Sequence, residues 1–300
     1  MVMRFTEIFS RRRRPVISFE VFPPKTDAAM ESFLEVLPRL VKLRPDFMTV
    51  TYGAFGTTRA RTLEIAAMIK RDHRLETACH LTCVGSTRED IDRILGDIRG
   101  AKIENIVALR GDPPQGQSGF VPPPGGFRHA YEIVAHIRRT GAFGIAVAGY
   151  PEKHLEAPDF ETDLRHLQHK VSTGADLVIT QLFYDNRHYF HLVERARALG
   201  IEVPIVPGLL PILSLRQVKR ITSMCGASIP SALLERLEEC GGDEGGCLEV
   251  GVHHALEQVV GLLRGGAPGI HFYVLNKSQH MVRIMEELWP LLRKMELEPH

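Results

Sequence analysis

The chain has no apolar run long enough to cross a membrane, no apolar stretch of signal-peptide type near its first residue and no surplus of either charge. The first two absences predict a cytoplasmic protein with no membrane partner. The third, 37 Lys+Arg against 36 Asp+Glu for a formal net charge of +1, removes any general electrostatic case for nucleic acid. A disulfide framework is missing as well: five cysteines, an odd number scattered over 300 residues, read as reduced thiols. Cys240 and Cys247 bracket the loop Gly241-Gly242-Asp243-Glu244-Gly245-Gly246 without the paired short spacings of a zinc site, so no metal is expected. No Gly-x-Gly-x-x-Gly follows the first strand and no Walker loop occurs, so a nucleotide must be held by a non-Rossmann arrangement. No low-complexity linker divides the chain, which predicts a single domain over residues 1–300.

What is present is alternation. Short apolar runs recur near residues 16–22, 47–52, 78–83, 105–110, 145–150, 177–183, 203–208 and 270–275, and amphipathic helical patterns fill the gaps. Helices are predicted at Met30 to Leu43, Thr62 to Ile69, Asp90 to Ile98, Ala130 to Ile137, Leu164 to Val171 and Tyr189 to Leu199. Eight strand-helix units with continuous apolar strands imply an α/β fold, a parallel sheet closed into a (β/α)8 barrel. Ser214 to Gly266 is longer than one unit needs and predicts an additional helical segment of two or three helices before the last strand. Arg11 to Arg14 reads as a solvated lead-in to the first strand.

Polar residues stand at the downstream ends of the strands, where barrels of this kind carry their chemistry. Glu20 closes the first run and is followed by Pro23-Pro24, which lack the donors to continue a ladder. Burial there should raise its pKa toward the range of a proton donor, making it the first candidate acid. Side-chain alternation groups Glu20 with Ser18, His80 with Thr82, Arg110 with Ala108, Tyr150 with Ala148 and Ala146, and Gln181 with Ile179 as inward-facing sets. Taken alone, Thr51 and Tyr52 read as ordinary strand residues, His80 as a hydrogen-bonded core histidine, and Arg110 and Asp112 as a possible pair across Gly111. Glycine at 111 permits close backbone approach to a ligand. After the fifth strand, His154 and a helix bearing Asp163, His166 and Lys170 form either a solvated face or a surface for an anionic ligand such as a diphosphate, with Asp163 on hydroxyls.

Seven segments in order carry a specific resemblance: Phe19-Glu20-Val21-Phe22-Pro23-Pro24-Lys25, Val50-Thr51-Tyr52-Gly53-Ala54, His80-Leu81-Thr82-Cys83, Ile106 through Asp112, Tyr150-Pro151-Glu152-Lys153-His154, Thr180-Gln181 and His271-Phe272-Tyr273-Val274-Leu275-Asn276. Over nearly its whole length the chain resembles the methylenetetrahydrofolate reductases. The resemblance implies a barrel holding FAD, reduced by NADH or NADPH, that converts 5,10-methylenetetrahydrofolate to 5-methyltetrahydrofolate in a ping-pong cycle and supplies methyl groups for methionine synthesis. It implies Glu20 as general acid, Asp112 as the acid beside flavin and pterin, and Gln181 and Lys277 on the substrate. Thr51, Tyr52, Ala54, His80, Arg110, Gly111, Asp112, Ala130, Tyr150, His154, Ala157, Asp163, His166 and Lys170 match flavin-site positions.

The chain also departs from the family pattern. Lys277 stands where arginine is usual and cannot grip a carboxylate bidentately, and His129, His166 and His169 replace commoner residues. The resemblance further implies a homo-oligomer, and no S-adenosylmethionine control because a long regulatory extension is not expected. Two other readings share the same polar strand ends: a reductase subunit that depends on a partner protein and another electron donor, and a flavin- or folate-binding protein without turnover. A relative using nicotinamide without flavin fits the flavin-site set less well.

Overall fold

The structure, a computed structural model, describes residues 3–52, 59–111 and 120–296. Its strands are β1 (Val16–Val21), β2 (Phe47–Val50), β3 (Glu76–Thr82), β4 (Asn105–Leu109), β5 (Gly144–Gly149), β6 (Leu177–Thr180), β7 (Ile205–Val206), β8 (Gly208–Leu209) and β9 (Gly269–Tyr273). All pair in parallel in the order β7-β6-β5-β4-β3-β2-β1-β9-β8. β7 and β8 are halves of one extended segment interrupted at Pro207. The first half pairs with β6 and the second with β9, so this segment closes an eight-stranded barrel. Pro207 has no N–H for the ladder, but its carbonyl accepts the His271 N–H at 3.0 Å and keeps the seam paired. Gly208 follows because nothing larger fits: a Cβ there would lie 2.2 Å from the Thr180 carbonyl oxygen and 2.7 Å from the Tyr273 hydroxyl.

The crossover helices are α2 (Asp27–Lys42), α3 (Arg59–His73), α4 (Arg88–Gly100), α5 (Ala130–Thr140), α6 (Phe160–Ser172) and α7 (Asn186–Ala198). Each contains its predicted counterpart, allowing one residue at the C-terminal ends, because the apolar stripe that faces the sheet is the strongest local signal. The segment before β9 folds as α8 (Leu215–Cys225), α9 (Ser231–Glu239) and α10 (Glu244–Arg264). Two further helices were not expected: α1 (Phe5–Ser10), too short to show a period, and the C-terminal α11 (Gln279–Glu296). Among the described residues no helix is long and apolar enough to cross a membrane.

Three apolar clusters hold this together. The largest lies between the outward faces of the strands, with Ile17, Phe19, Met48 and Ile106, and the surrounding helices. A second fills the lower barrel, where Phe5, Ile8 and Phe9 of α1 insert among Phe47, Ala78, Val107, Ala146 and Leu177. Asn105 fastens this plug, accepting from the Phe5 N–H at 2.8 Å and donating to the Met3 carbonyl at 2.9 Å. The third, under α8 to α10, joins Val218, Leu233, Leu237 and Cys247 to Leu182 and Leu210 at the barrel's upper end. The lead-in reading of Arg11 to Arg14 needs one correction. Arg14 is half-buried, grips Asp46 with two 2.9 Å bonds and lies 4.9 Å from the Trp289 ring, so it pins the start of β1 to α11.

Phe5 is 1 % exposed and meets the Phe47 ring edge-on at 5.3 Å. Phe5→Ala should therefore cost about 3–5 kcal/mol, the range for an aromatic core truncation, and lower the urea midpoint with little change in slope. An unchanged midpoint would show that α1 does not seal the barrel.

Candidate functional site

Adjacent strand registers place Ser18 opposite His271 and Glu20 opposite Thr49. Because parallel neighbours in register share an orientation, these side chains converge inside the barrel. Three groups approach one oxygen of Glu20, Oε2: the Thr49 hydroxyl donates to it at 3.3 Å, His271 Nε2 lies at 3.5 Å and His80 Nε2 at 3.1 Å. The His80 approach is close but off the hydrogen-bonding axis, so it acts mainly through charge. His271, with 0 % exposure, is oriented by Ser18, whose Oγ lies 2.8 Å from Nδ1. Among the described residues none bonds to Oε1, and Glu20 lines the cavity above.

This environment corrects the expectation that burial leaves Glu20 with a raised pKa. Burial pushes the carboxyl up, but the charge of His80 together with the hydrogen bond and charge of His271 outweigh it and hold the pKa at about 2. The resting group is a carboxylate beside two imidazoles.

Above the cluster opens a cavity of ≈ 860 Å³, within the range of small-molecule sites. Its wall contains Glu20, Thr51, His80, Arg110, Gly111, Tyr150, His154 and Gln181, brought together from six strand ends and their loops. Parity held for Tyr150 and Gln181, with Ala148 and Ile179 beneath them. For Arg110 it did not. Ala108 packs outward against the helices, while Val107 and Leu109 face the cavity, because Arg110 lies beyond the end of β4 where strand alternation no longer applies. Gly111 has φ +87°, and a Cβ there would meet Val84 Cγ1 at 2.8 Å, so the loop turns tightly against the β3 end. Arg110 grips Glu156 with two bonds, at 2.5 and 2.8 Å, and its pairing with Asp112 lies outside the described residues.

Several expected site residues stand behind this wall. Asp163 is buried and its carboxylate accepts the His154 N–H at 3.0 Å. The Lys170 ammonium donates to the Ala148 carbonyl at 2.5 Å and lies 5.7 Å from the Tyr150 ring centre. Burial lowers its pKa to about 8, with Asp163 opposing the shift. Ala157 is buried in the loop between them, where its carbonyl accepts from Lys153. His154 Nδ1 accepts the Glu156 N–H at 3.1 Å, which leaves Nε2 to carry the proton of the neutral ring, and burial lowers the pKa of that ring. Tyr52 lies in a separate recess against α3 and α4, Ala130 begins α5, His166 is exposed on α6, and Lys277 is exposed in the turn after β9. Ala54 and Asp112 lie outside the described residues.

The sequence reading missed one whole wall. α8 presents Arg216, Gln217, Arg220, Ile221 and Met224 to the cavity, and Tyr273 of β9 joins them, donating to the Thr180 carbonyl at 2.7 Å. The polar stripe of α8 at three- and four-residue steps was the available signal.

Glu20 offers a direct test. Its folded pKa is depressed, so the stabilisation is complete above the usual carboxyl value near 4.5 and disappears as pH falls from there toward about 2. The carboxylate infrared band of Glu20 should therefore persist to about pH 2 in the wild-type protein and titrate well above that in His80→Gln. A Glu20 band that titrates in the ordinary range in both proteins would show that the imidazoles do not hold the charge.

Comparison with known proteins gives a consistent result. The methylenetetrahydrofolate reductase family model matches residues 4–289. The methylenetetrahydrofolate reductase (NADH) 1 of Arabidopsis thaliana is 41 % identical over 282 residues, 90 % of this chain and 48 % of that protein. The 5,10-methylenetetrahydrofolate reductase of Escherichia coli K12 is 36 % identical over 91 % of this chain and 90 % of its own length. The chain thus spans about half the length of the plant relatives it matches and most of the bacterial ones. A Clostridium thermocellum protein that binds two copies of 5-methyl-5,6,7,8-tetrahydrofolic acid shares the fold with a TM-score of 0.66 at 16 % identity, the match covering 99 % of this chain and 100 % of that one.

Proposed function

The chain belongs to the methylenetetrahydrofolate reductase family, and on that premise we propose that it reduces 5,10-methylenetetrahydrofolate to 5-methyltetrahydrofolate with electrons from NADH or NADPH through bound FAD. The observation that carries the reading is the Glu20 cluster on the floor of a cavity large enough for stacked planar ligands, with Oε1 left for a substrate. The names of the plant relatives favour NADH as the donor.

The donor set suits FAD. His154 Nε2 is an N–H donor for a phosphate oxygen, and the buried Lys170 ammonium supplies positive charge behind Tyr150. Gly111 gives the close backbone approach that a planar ring system needs. We assign direct contact to Thr51, His80, Arg110, Gly111, Tyr150 and His154, with Asp163, Ala157 and Lys170 fixing them. Tyr52, Ala54, Ala130, His166 and Asp112 complete the set, Asp112 beside the pterin as well. When bound, FAD supplies the two-electron relay between nicotinamide and folate. The protein's part is to orient both partners and to supply a proton at the folate ring nitrogen as the methylene bridge opens. That proton passes through Glu20 from the carboxylate-imidazole cluster, with Gln181 positioning the pterin.

Glu20→Gln keeps the volume but cannot pass an acidic proton. NADH should still bleach the flavin at nearly the wild-type rate, because that step needs no enzyme proton, while folate-dependent reoxidation should slow by about 10²-fold or more. Stopped-flow traces of the two half-reactions settle the point: equal slowing of both would indicate damaged flavin geometry, and a wild-type folate step would remove Glu20 from the mechanism.

The folate's anionic tail finds its partners on α8 rather than at Lys277. Arg216 and Arg220 line the cavity one turn apart and form no carboxylate pair among the described residues, whereas Lys277 is exposed and not part of the cavity lining. Arg220→Ala should raise KM for the folate by about tenfold, the scale of one charge-assisted hydrogen bond, with kcat nearly constant. Lys277→Ala should stay within about twofold, the scale of an exposed charge. The reverse ranking in steady-state assays would return the tail to Lys277.

A further inference from the structure

The loop between α9 and α10 has no place in the chemistry above, yet it brings two thiols together. Cys240 caps the C-terminus of α9 and Cys247 lies in the first turn of α10. The Cys240 thiol donates to the Arg236 carbonyl at 3.2 Å and the Cys247 thiol to the next carbonyl, Leu237, at 3.7 Å, while Cys240 Sγ lies only 3.7 Å from where a Cβ on Gly246, the neighbour of Cys247, would sit. The turn is built for this approach. Gly241 and Gly242 take φ of +57° and +92°, and Asp243 fixes the start of α10 by accepting from the Gly245 and Gly246 N–H groups. Exposure differs between the partners: Cys240 is half-exposed, whereas Cys247 is 3 % exposed. Cys79 and Cys83 lie buried at β3, where burial pushes both thiols up to about 12, and Cys225 is half-buried at the end of α8.

We propose that Cys240 and Cys247 are a dithiol modification site, which low-molecular-weight disulfides of the glutathione type convert to an intramolecular disulfide joining the end of α9 to the start of α10. The Cys240 thiolate attacks one sulfur of the small disulfide and bonds to it, while the reagent's S–S bond breaks and its other sulfur leaves as a thiolate that takes up the proton released by Cys240. The Cys247 sulfur then attacks Cys240 in the mixed disulfide, and its proton ends on the second released small thiol. Two electrons pass to the oxidant, one protein S–S bond replaces the reagent's S–S bond, and two small thiols leave. Partial burial, the neighbouring Cys247 thiol and the carboxylates of Asp243 and Glu239 hold the Cys240 thiol above its usual range, so the exchange is slow at neutral pH.

The link matters because both cysteines belong to the cluster that supports α8, the cavity's helical wall. Closing a short loop removes freedom from the opened state of that cluster while the barrel strands stay untouched.

The test treats the full-length native protein with glutathione disulfide and follows intact mass, peptide maps and amide exchange. The wild type should lose two hydrogens without retaining glutathione, give a Cys240–Cys247 cross-linked peptide, and recover on reduction with dithiothreitol. Cys247→Ser should accumulate a stable glutathione adduct on Cys240, and Cys240→Ser should leave Cys247 unmodified over the same time. Oxidation should slow amide exchange across residues 231–250 by about tenfold, the scale set by closing a short loop, and leave β1 to β4 unchanged. A persistent adduct on wild-type Cys240, earlier reaction at Cys225, or an inert pair would each overturn the proposal.

Discussion

The parallel register of β9, β1 and β2 is the constraint on which the site depends. Ser18 faces His271, and Glu20 faces Thr49, because the backbone ladders pair those residues and no others. A slip of one residue in β1 would turn Ser18 and Glu20 into the helical layer and bring Phe19 into the barrel. The apolar cost of that exchange locks the register, since Phe19 is fully buried among the outward-facing residues and meets Phe272 edge-on. Packing in the outer layer thus fixes the chemistry of the inner one.

The inner layer carries an electrostatic conflict that the fold resolves locally. A carboxylate with 7 % exposure loses most of its hydration, and two imidazoles and a hydroxyl on one oxygen restore what water would have given. The same solution recurs behind Tyr150, where the buried Lys170 ammonium has a carbonyl within reach and Asp163 nearby. In both places protein atoms alone position the charged group, which is the form of electrostatic preorganisation.

Much of this was legible in the chain because two strong periodicities alternate. Strand parity found Glu20, His80, Tyr150 and Gln181 at the cavity, as each lies on a strand or within a residue of its end. It failed at Arg110, which has left the strand, and it could say nothing about α8, whose orientation over the barrel is a property of tertiary packing. His166 shows the limit of spacing arguments on a helix. Residues 163, 166 and 170 share a face about 60° wide, yet α6 buries Asp163, half-buries Lys170 and leaves His166 exposed. Lys277 stands exposed in the turn where Leu275 and Asn276 take positive φ, a local geometry that strand parity does not reach.

Floor and wall of the cavity are held by different means. The floor rests on sheet registers and on a core that runs around the barrel, so it has one arrangement. The α8 wall rests on the smaller cluster shared with α9 and α10, joined to the barrel through Leu182, Leu210 and Tyr273. A smaller cluster opens at lower free energy than the main core. This division suits a site proposed to receive a nicotinamide and a folate in turn: proton and ring geometry stay fixed on the strands, while the helical wall adjusts to the shape of each partner.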